Sequence, residues 1–182
     1  MTTAAPRRAL LLEAAADLFA AHGFHAVGID DIGEAAGITG PGVYRHFPSK
    51  QALLESLCEA TMDRMLGQAK GTQDLSTLVD LHVVLVVEEK ALIGVWVREQ
   101  RALSEDVRRS LRRRMRSYEA IWRDAVAPSR PDLDAAHLAL TVGSALAMLN
   151  TTSLIDNPLP AGERKALLRH LALATLGVSP QA

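Results

Sequence analysis

A single cysteine, Cys58, stands in the 182-residue chain, and aromatic residues make up only 4% of it. One thiol excludes an internal disulfide and suits a reducing compartment. Neither sign of charge is in excess: the formal net charge is −1 at pH 7. Attraction to nucleic acid by bulk charge is therefore excluded, and any such binding must rest on local arrangement. Long hydrophobic runs are missing too. LALTVGSALAML, from Leu138 to Leu149, falls well short of the ~20 residues that span a bilayer. The amino end, RRALLLEAAADLFAAHG, begins like a signal peptide, but Glu13 and Asp17 interrupt its apolar stretch at helix-face intervals. These absences predict a soluble, cytoplasmic protein. The six histidines form no metal-ligand grouping, and nothing resembles a nucleophile turn or a glycine-rich phosphate loop. No metal, cofactor or catalysis is expected.

What is present is helical periodicity. Leu11, Ala14, Ala15, Leu18 and Phe19 recur at i, i+3, i+4, i+7 and i+8, one face of an amphipathic helix that Gly23 can end. Ile29, Ile32, Ala35 and Ala36 repeat the pattern before Gly37. A third short helix follows Thr39, whose hydroxyl suits a cap, and a fourth begins at Ser49. GQAKGTQD, Gly67 to Asp74, marks a break. The β-branched run from Leu75 to Val97 has no partner strand elsewhere and is read as helix. Ser104, Glu105 and Asp106 open a helix whose apolar stripe runs through Val107, Leu111, Met115, Tyr118, Trp122 and Val126. Two more helices are predicted at roughly 132–155 and 161–176. The fold class predicted is all-α, about nine helices, with domains at 1–52 and 53–182.

GITGPGVYRHFPSK, Gly37 to Lys50, concentrates two of the few rings beside Arg45, His46 and Lys50. Two short helices joined through AAGIT describe a helix-turn-helix, whose second helix lies in the major groove while neighbouring helix starts meet phosphates. Tyr44 can lay its ring on a sugar, and Lys50, in the first turn of a helix, can meet a phosphate. Thr39 and the Gly40 amide are further candidate DNA contacts, and Phe47 reads as a wedge between helices.

The segment from about Arg8 to Leu57 resembles the DNA-binding domain of TetR-family transcriptional regulators. The family pattern is carried by LLEAAADLFAAHGF, IDDIGEAAGIT and VYRHFPSKQALL. The resemblance implies DNA contacts at Thr39, Gly40, Tyr44, His46 and Lys50, to which Arg45 is added for its charge. It also implies a homodimeric, ligand-responsive regulator, a repressor, bound to palindromic operator DNA. Three glycines depart from the pattern. Gly28 stands where Thr or Ser is usual, Gly42 where a small hydroxylated residue is usual, and Gly33 where Ala is common. Glycine at 33 is expected to weaken its short helix by roughly 1 kcal/mol. Arg7, Arg8, Arg45 and Lys50 face Glu13, Asp17, Asp30, Asp31 and Glu34, so the segment is no basic patch.

In the remaining helices, Val84, Leu85, Glu88, Trp96, Met115, Tyr118, Trp122 and Asn150 form a candidate ligand pocket, mostly apolar and suited to a hydrophobic or amphipathic small molecule. Packing as ordinary core is the alternative for the stripe. Arg109, Arg112, Arg113 and Arg116 read as a solvated face, although one of these, or Arg98 or Arg101, can meet an anionic ligand group. The segment from Arg98 to Trp122 also resembles one in actinobacterial family members, some of which respond to acyl-CoA thioesters. Ala136, Ala139, Gly143 and Ala147 make a smooth stripe which, with Leu140, Leu146, Leu167 and Leu171, fits the dimer interface the resemblance implies. A helical binding or enzymatic domain using its helix-turn-helix for protein contact is the alternative from another class, and an architectural DNA binder without effector is a third.

Overall fold

The computed structural model describes residues 4–178, and among these there are nine α-helices and no strand. The first four are α1 (Ala4–His22), α2 (Ile29–Ala35), α3 (Gly40–Val43) and α4 (Lys50–Ala69). The remaining five are α5 (Leu75–Glu88), α6 (Lys90–Arg98), α7 (Glu105–Val126), α8 (Ala135–Thr152) and α9 (Ala161–Leu176). The β-branched run is helix, as expected, but in two pieces: the chain turns at Glu89, whose backbone leaves the helical region (φ −108°, ψ 40°). Neither glycine nor proline marks that turn in the sequence. None of these helices is long and apolar enough to cross a membrane.

Two hydrophobic cores organise the chain. One gathers Leu11, Phe19, Phe24, Ile32, Val43, Phe47 and Leu53 with Val95, Trp96, Leu103 and Leu111. The other gathers Leu78, Val79, Val86, Tyr118, Trp122, Leu149, Leu173 and Leu176. Phe47 is buried between helices, the wedge its position implied. Two helices run from one core into the other. Along α4, Leu53 to Met62 belong to the first core and Met65 and Ala69 to the second; along α7, Leu111 belongs to the first and Tyr118 onward to the second. A division at residue 52 thus falls inside the N-terminal core, and the change of core comes about three turns later.

The local geometry of the first four helices follows from a few turns. Gly23 and Gly37 take positive φ (+82° and +68°), where a side chain would be strained. Ser49 caps α4 through its hydroxyl, which accepts from the Ala52 N–H at 3.0 Å. Thr39 precedes α3 without a side-chain cap, and Ser104 precedes α7 in the same way, so neither hydroxyl has the expected capping role. At Gly28 the cap is reversed: Asp31 Oδ2 accepts the Gly28 N–H at 2.7 Å.

Candidate nucleic-acid face and interhelical cavity

The α2–α3 pair is held by a close approach of backbones. A Cβ on Gly33 would stand 2.9 Å from the Ile38 carbonyl oxygen and 3.1 Å from the Gly40 nitrogen. In this backbone arrangement an added methyl group requires the neighbouring chain to shift, so the propensity cost of glycine is offset by the close approach it allows. Gly40 is less confined: a Cβ would fall 1.8 Å from Asp30 Oδ1, the end of a side chain that can turn away.

Of the expected DNA contacts, Thr39, Tyr44 and Arg45 are exposed on one face, Tyr44 to 55%, and His46 is half-buried beside them. Two residues stand differently from the exposed ones. Gly40 is buried as a residue. Lys50 is turned inward: Nζ donates to the carbonyls of Phe24 (2.8 Å), Val27 (2.7 Å) and His25 (3.4 Å) and lies 4.6 Å from the centre of the Phe24 ring. An ammonium has three donors, and all three serve the α1–α2 turn rather than a phosphate. The arginines of α1 are also engaged. Arg7 donates to the Ala36 carbonyl, while Arg8 donates to Ser56 Oγ and stacks over Phe47. Among the described residues, Arg45 is the cation of this face that no hydrogen bond or ion pair ties down.

The larger unit contains a cavity of about 520 Å³ between α6, α7 and α8. Trp96, Met115 and Asn150 line it, as their helix faces implied, and so do Arg98 and Arg101. The sequence reading missed Arg108. Gly143, Leu146 and Ala147, assigned to a dimer stripe, also border the cavity. Other assignments are corrected. Val84 is 37% exposed and Glu88 pairs with Lys165 on the surface. Leu85, Tyr118 and Trp122 are buried in the core, outside the cavity wall. The run around Val84 is apolar on nearly every side, so periodicity left its inward face ambiguous. Leu146 is only 2% exposed and packs inward, whereas Ala136, Ala139, Leu140, Ala147, Leu167 and Leu171 are exposed, Leu140 to 72%.

Beneath the cavity floor lies a polar chain the sequence reading did not identify. His82 is buried, with Nε2 3.1 Å from Asn150 Oδ1 and Nδ1 2.9 Å from the Tyr118 hydroxyl. Because Asn150 Oδ1 only accepts, Nε2 carries the proton, and Nδ1 accepts from Tyr118. Burial pulls the His82 pKa down to about 4, against the small opposing effect of Asn150. Burial likewise pushes the Tyr118 phenol up. A lone histidine four residues after Leu78 on an apolar face was the available signal: a buried polar group requires partners.

The cavity wall is wired to the helix-turn-helix. Glu99 Oε1 accepts the Phe24 N–H at 3.1 Å, Gln51 donates to the Ala102 carbonyl, and Glu55 accepts the Ser104 N–H at 3.0 Å. Burial raises the Glu55 pKa, but hydrogen bonds from Ser104 and Gln51 outweigh it and hold the carboxyl below its ordinary value. The segment between α6 and α7 is therefore bound to the α1–α2 turn and to the first turns of α4. Trp96 lines the cavity and is buried in the N-terminal core as well.

Comparison with known proteins agrees with this order of parts. Residues 11–57 match the family described as bacterial regulatory proteins, tetR family, and residues 68–154 match the tetracyclin repressor-like C-terminal domain. The transcriptional repressor KstR2 of Mycolicibacterium smegmatis is 29% identical over 147 residues, 71% of each chain. Two other curated relatives, each 36% identical, are matched over 33% and 38% of their own length, so the chain answers to about a third of them. A TetR-family regulator from Bordetella parapertussis superposes over 94% of both chains with a TM-score of 0.82 at 24% identity. AibR, solved with isovaleryl coenzyme A and operator DNA, superposes over 91% of this chain and 97% of its own, with a TM-score of 0.75 at 19% identity. At these identities the two structures speak for the fold alone. With both family models matched in sequence order, and a helix-turn-helix followed by a helical bundle beneath them, the chain belongs to the TetR family of transcriptional regulators.

Proposed function

We propose that the chain is a ligand-responsive repressor that binds palindromic operator DNA as a homodimer and carries out no catalysis. The observation that carries this reading is the segment from Trp96 to Ser104, which borders the cavity and is hydrogen-bonded to the helix-turn-helix. Two recognition helices must lie one helical turn apart, or a multiple of it, to enter successive major grooves. A small molecule in the cavity shifts that segment, and with it the α1–α2 turn and α4. DNA affinity then falls by the coupling free energy, typically about 1–3 kcal/mol. DNA is met by Thr39, Tyr44, Arg45 and His46; Lys50 supports them from behind by holding the turn. The exposed faces of α8 and α9, with Ala136, Ala139, Leu140, Ala147, Leu167 and Leu171, supply the dimer contact. The effector has an apolar body, to suit Trp96, Val97, Met115 and Leu146.

Selection from random duplex DNA at moderate salt tests the reading. The expected result is a palindromic motif whose half-sites are a whole number of helical turns apart. A folded dimer that enriches no motif would overturn it. In the same assay, Arg45→Ala is expected to lower the salt slope by about one per subunit. An unchanged slope would remove Arg45 from the phosphate contacts.

A further inference from the structure

Arg108 borders two neighbouring cavities. The larger one, of about 520 Å³, shares Trp96, Gln100, Arg108 and Met115 with a smaller one of about 90 Å³ that lies against Leu103 and Leu111. The Arg108 Nε is shielded from solvent and has no hydrogen-bond partner among the described residues. Only Nη2 is engaged, by Glu105 Oε2 at 2.8 Å, a carboxylate one helical turn away and itself more than half exposed. A guanidinium binds an anion best side-on, through Nε–H and Nη–H together, and here half of that fork is unused. Arg98 and Arg101 also line the larger cavity. Glu119 is the acidic residue of the lining, and Arg123 lies 4.0 Å from it. The cavity lining thus combines three arginines and one carboxylate with the apolar side chains of Trp96, Met115 and Leu146 and the amide of Asn150.

We infer that the effector is an amphipathic anion whose carboxylate or phosphate group is taken by Arg108, with Arg98 and Arg101 supporting. This rests on reading the cavity as the effector site. The apolar chain lies between Trp96 and Met115, and its anionic end replaces Glu105 on the Arg108 fork. A free carboxylate and a phosphate ester share this chemistry; an acyl-CoA thioester belongs to the second group.

Decanoate, decyl phosphate and decanol share one apolar chain and differ in the end group. Each is titrated against intrinsic tryptophan fluorescence, since Trp96 lines the cavity. The anions are expected to bind about tenfold or more tighter than decanol, the difference one charged hydrogen bond makes. Arg108→Gln is expected to bring the anions to the decanol level, with a melting curve showing that the variant is folded. Arg108→Lys, which keeps a point charge without the fork, retains part of the preference. Tighter binding of the phosphate than the carboxylate supports the inference and identifies the phosphate ester as source; the reverse supports it with a free acid. Equal binding of all three, or an anion preference that survives Arg108→Gln, overturns the inference and leaves the cavity standing as an apolar effector site. If none of the three quenches tryptophan, both the inference and the cavity reading fail.

Discussion

The two units of this chain hold their shapes by different means. In the N-terminal unit, short helices are placed by turns with narrow chemical requirements: positive φ at Gly23 and Gly37, a missing Cβ at Gly33, three carbonyls gathered by Lys50. In the larger unit, long helices meet along broad apolar faces, and the few specific contacts are buried polar ones such as His82 with Tyr118 and Asn150. The first unit depends on single residues at tight turns and close backbone approaches; the second depends on extended apolar contact and on a few buried polar groups that need partners. The difference suits their tasks. A surface that docks on a fixed duplex requires one geometry, while a cavity that accepts an effector benefits from walls that can be altered.

The largest effect expected from breaking this contrast is at His82. Its pKa is about 4 in the folded chain and about 6.5 when unfolded, so the unfolded state binds the proton more readily. The stability this provides is fully present above pH 6.5 and is lost as pH falls toward 4, about 3 kcal/mol in all. Denaturant unfolding of the wild type should show that slope between pH 6.5 and 4, superposed on carboxylate titration. His82→Gln should flatten it. An identical slope in both proteins would show that His82 titrates freely.

A smaller but sharper effect separates the glycines. Gly33→Ala drives a methyl group against backbone that cannot move without opening the turn, and should cost about 1–3 kcal/mol. DNA affinity should fall with it, because the α2–α3 angle is what the turn sets. At Gly143 nothing lies within 4 Å of an added Cβ. Gly143→Ala, on a helix interior, should leave stability unchanged or raise it by up to about 1 kcal/mol. Thermal melts of the two variants compare the units directly, and equal losses at both positions would erase the distinction.

The legibility of the sequence follows the same division. Tyr44, Phe47 and the break at Gly37 were readable because turn chemistry is local and a few residues specify it. Lys50 was not. Its long side chain reaches either outward to a phosphate or back to the Phe24 and Val27 carbonyls, and only the folded α1–α2 turn decides. Gly33 looked like a weakness from propensity alone, since nothing in the linear order reveals how closely Ile38 approaches it. In the larger unit, Trp96, Met115 and Asn150 could be assigned to a common cavity from helix faces. Val84 and Glu88 were misplaced because α5 is apolar around most of its circumference. Arg108 was hidden among neighbouring arginines of the same helix, most of which do lie in solvent. Its distinction is an unused Nε, which is a fact of packing.

The sharing of α4 and α7 between the two cores has a consequence for how the protein comes apart. A helix that belongs to both cores loses support on one side when the other core opens, so the stabilities of the units are coupled and they are expected to unfold in one cooperative step. Shared helices also offer a mechanical link: displacing α4 or α7 as an intact rod at the cavity would move its other end in the N-terminal core, in the manner of a lever.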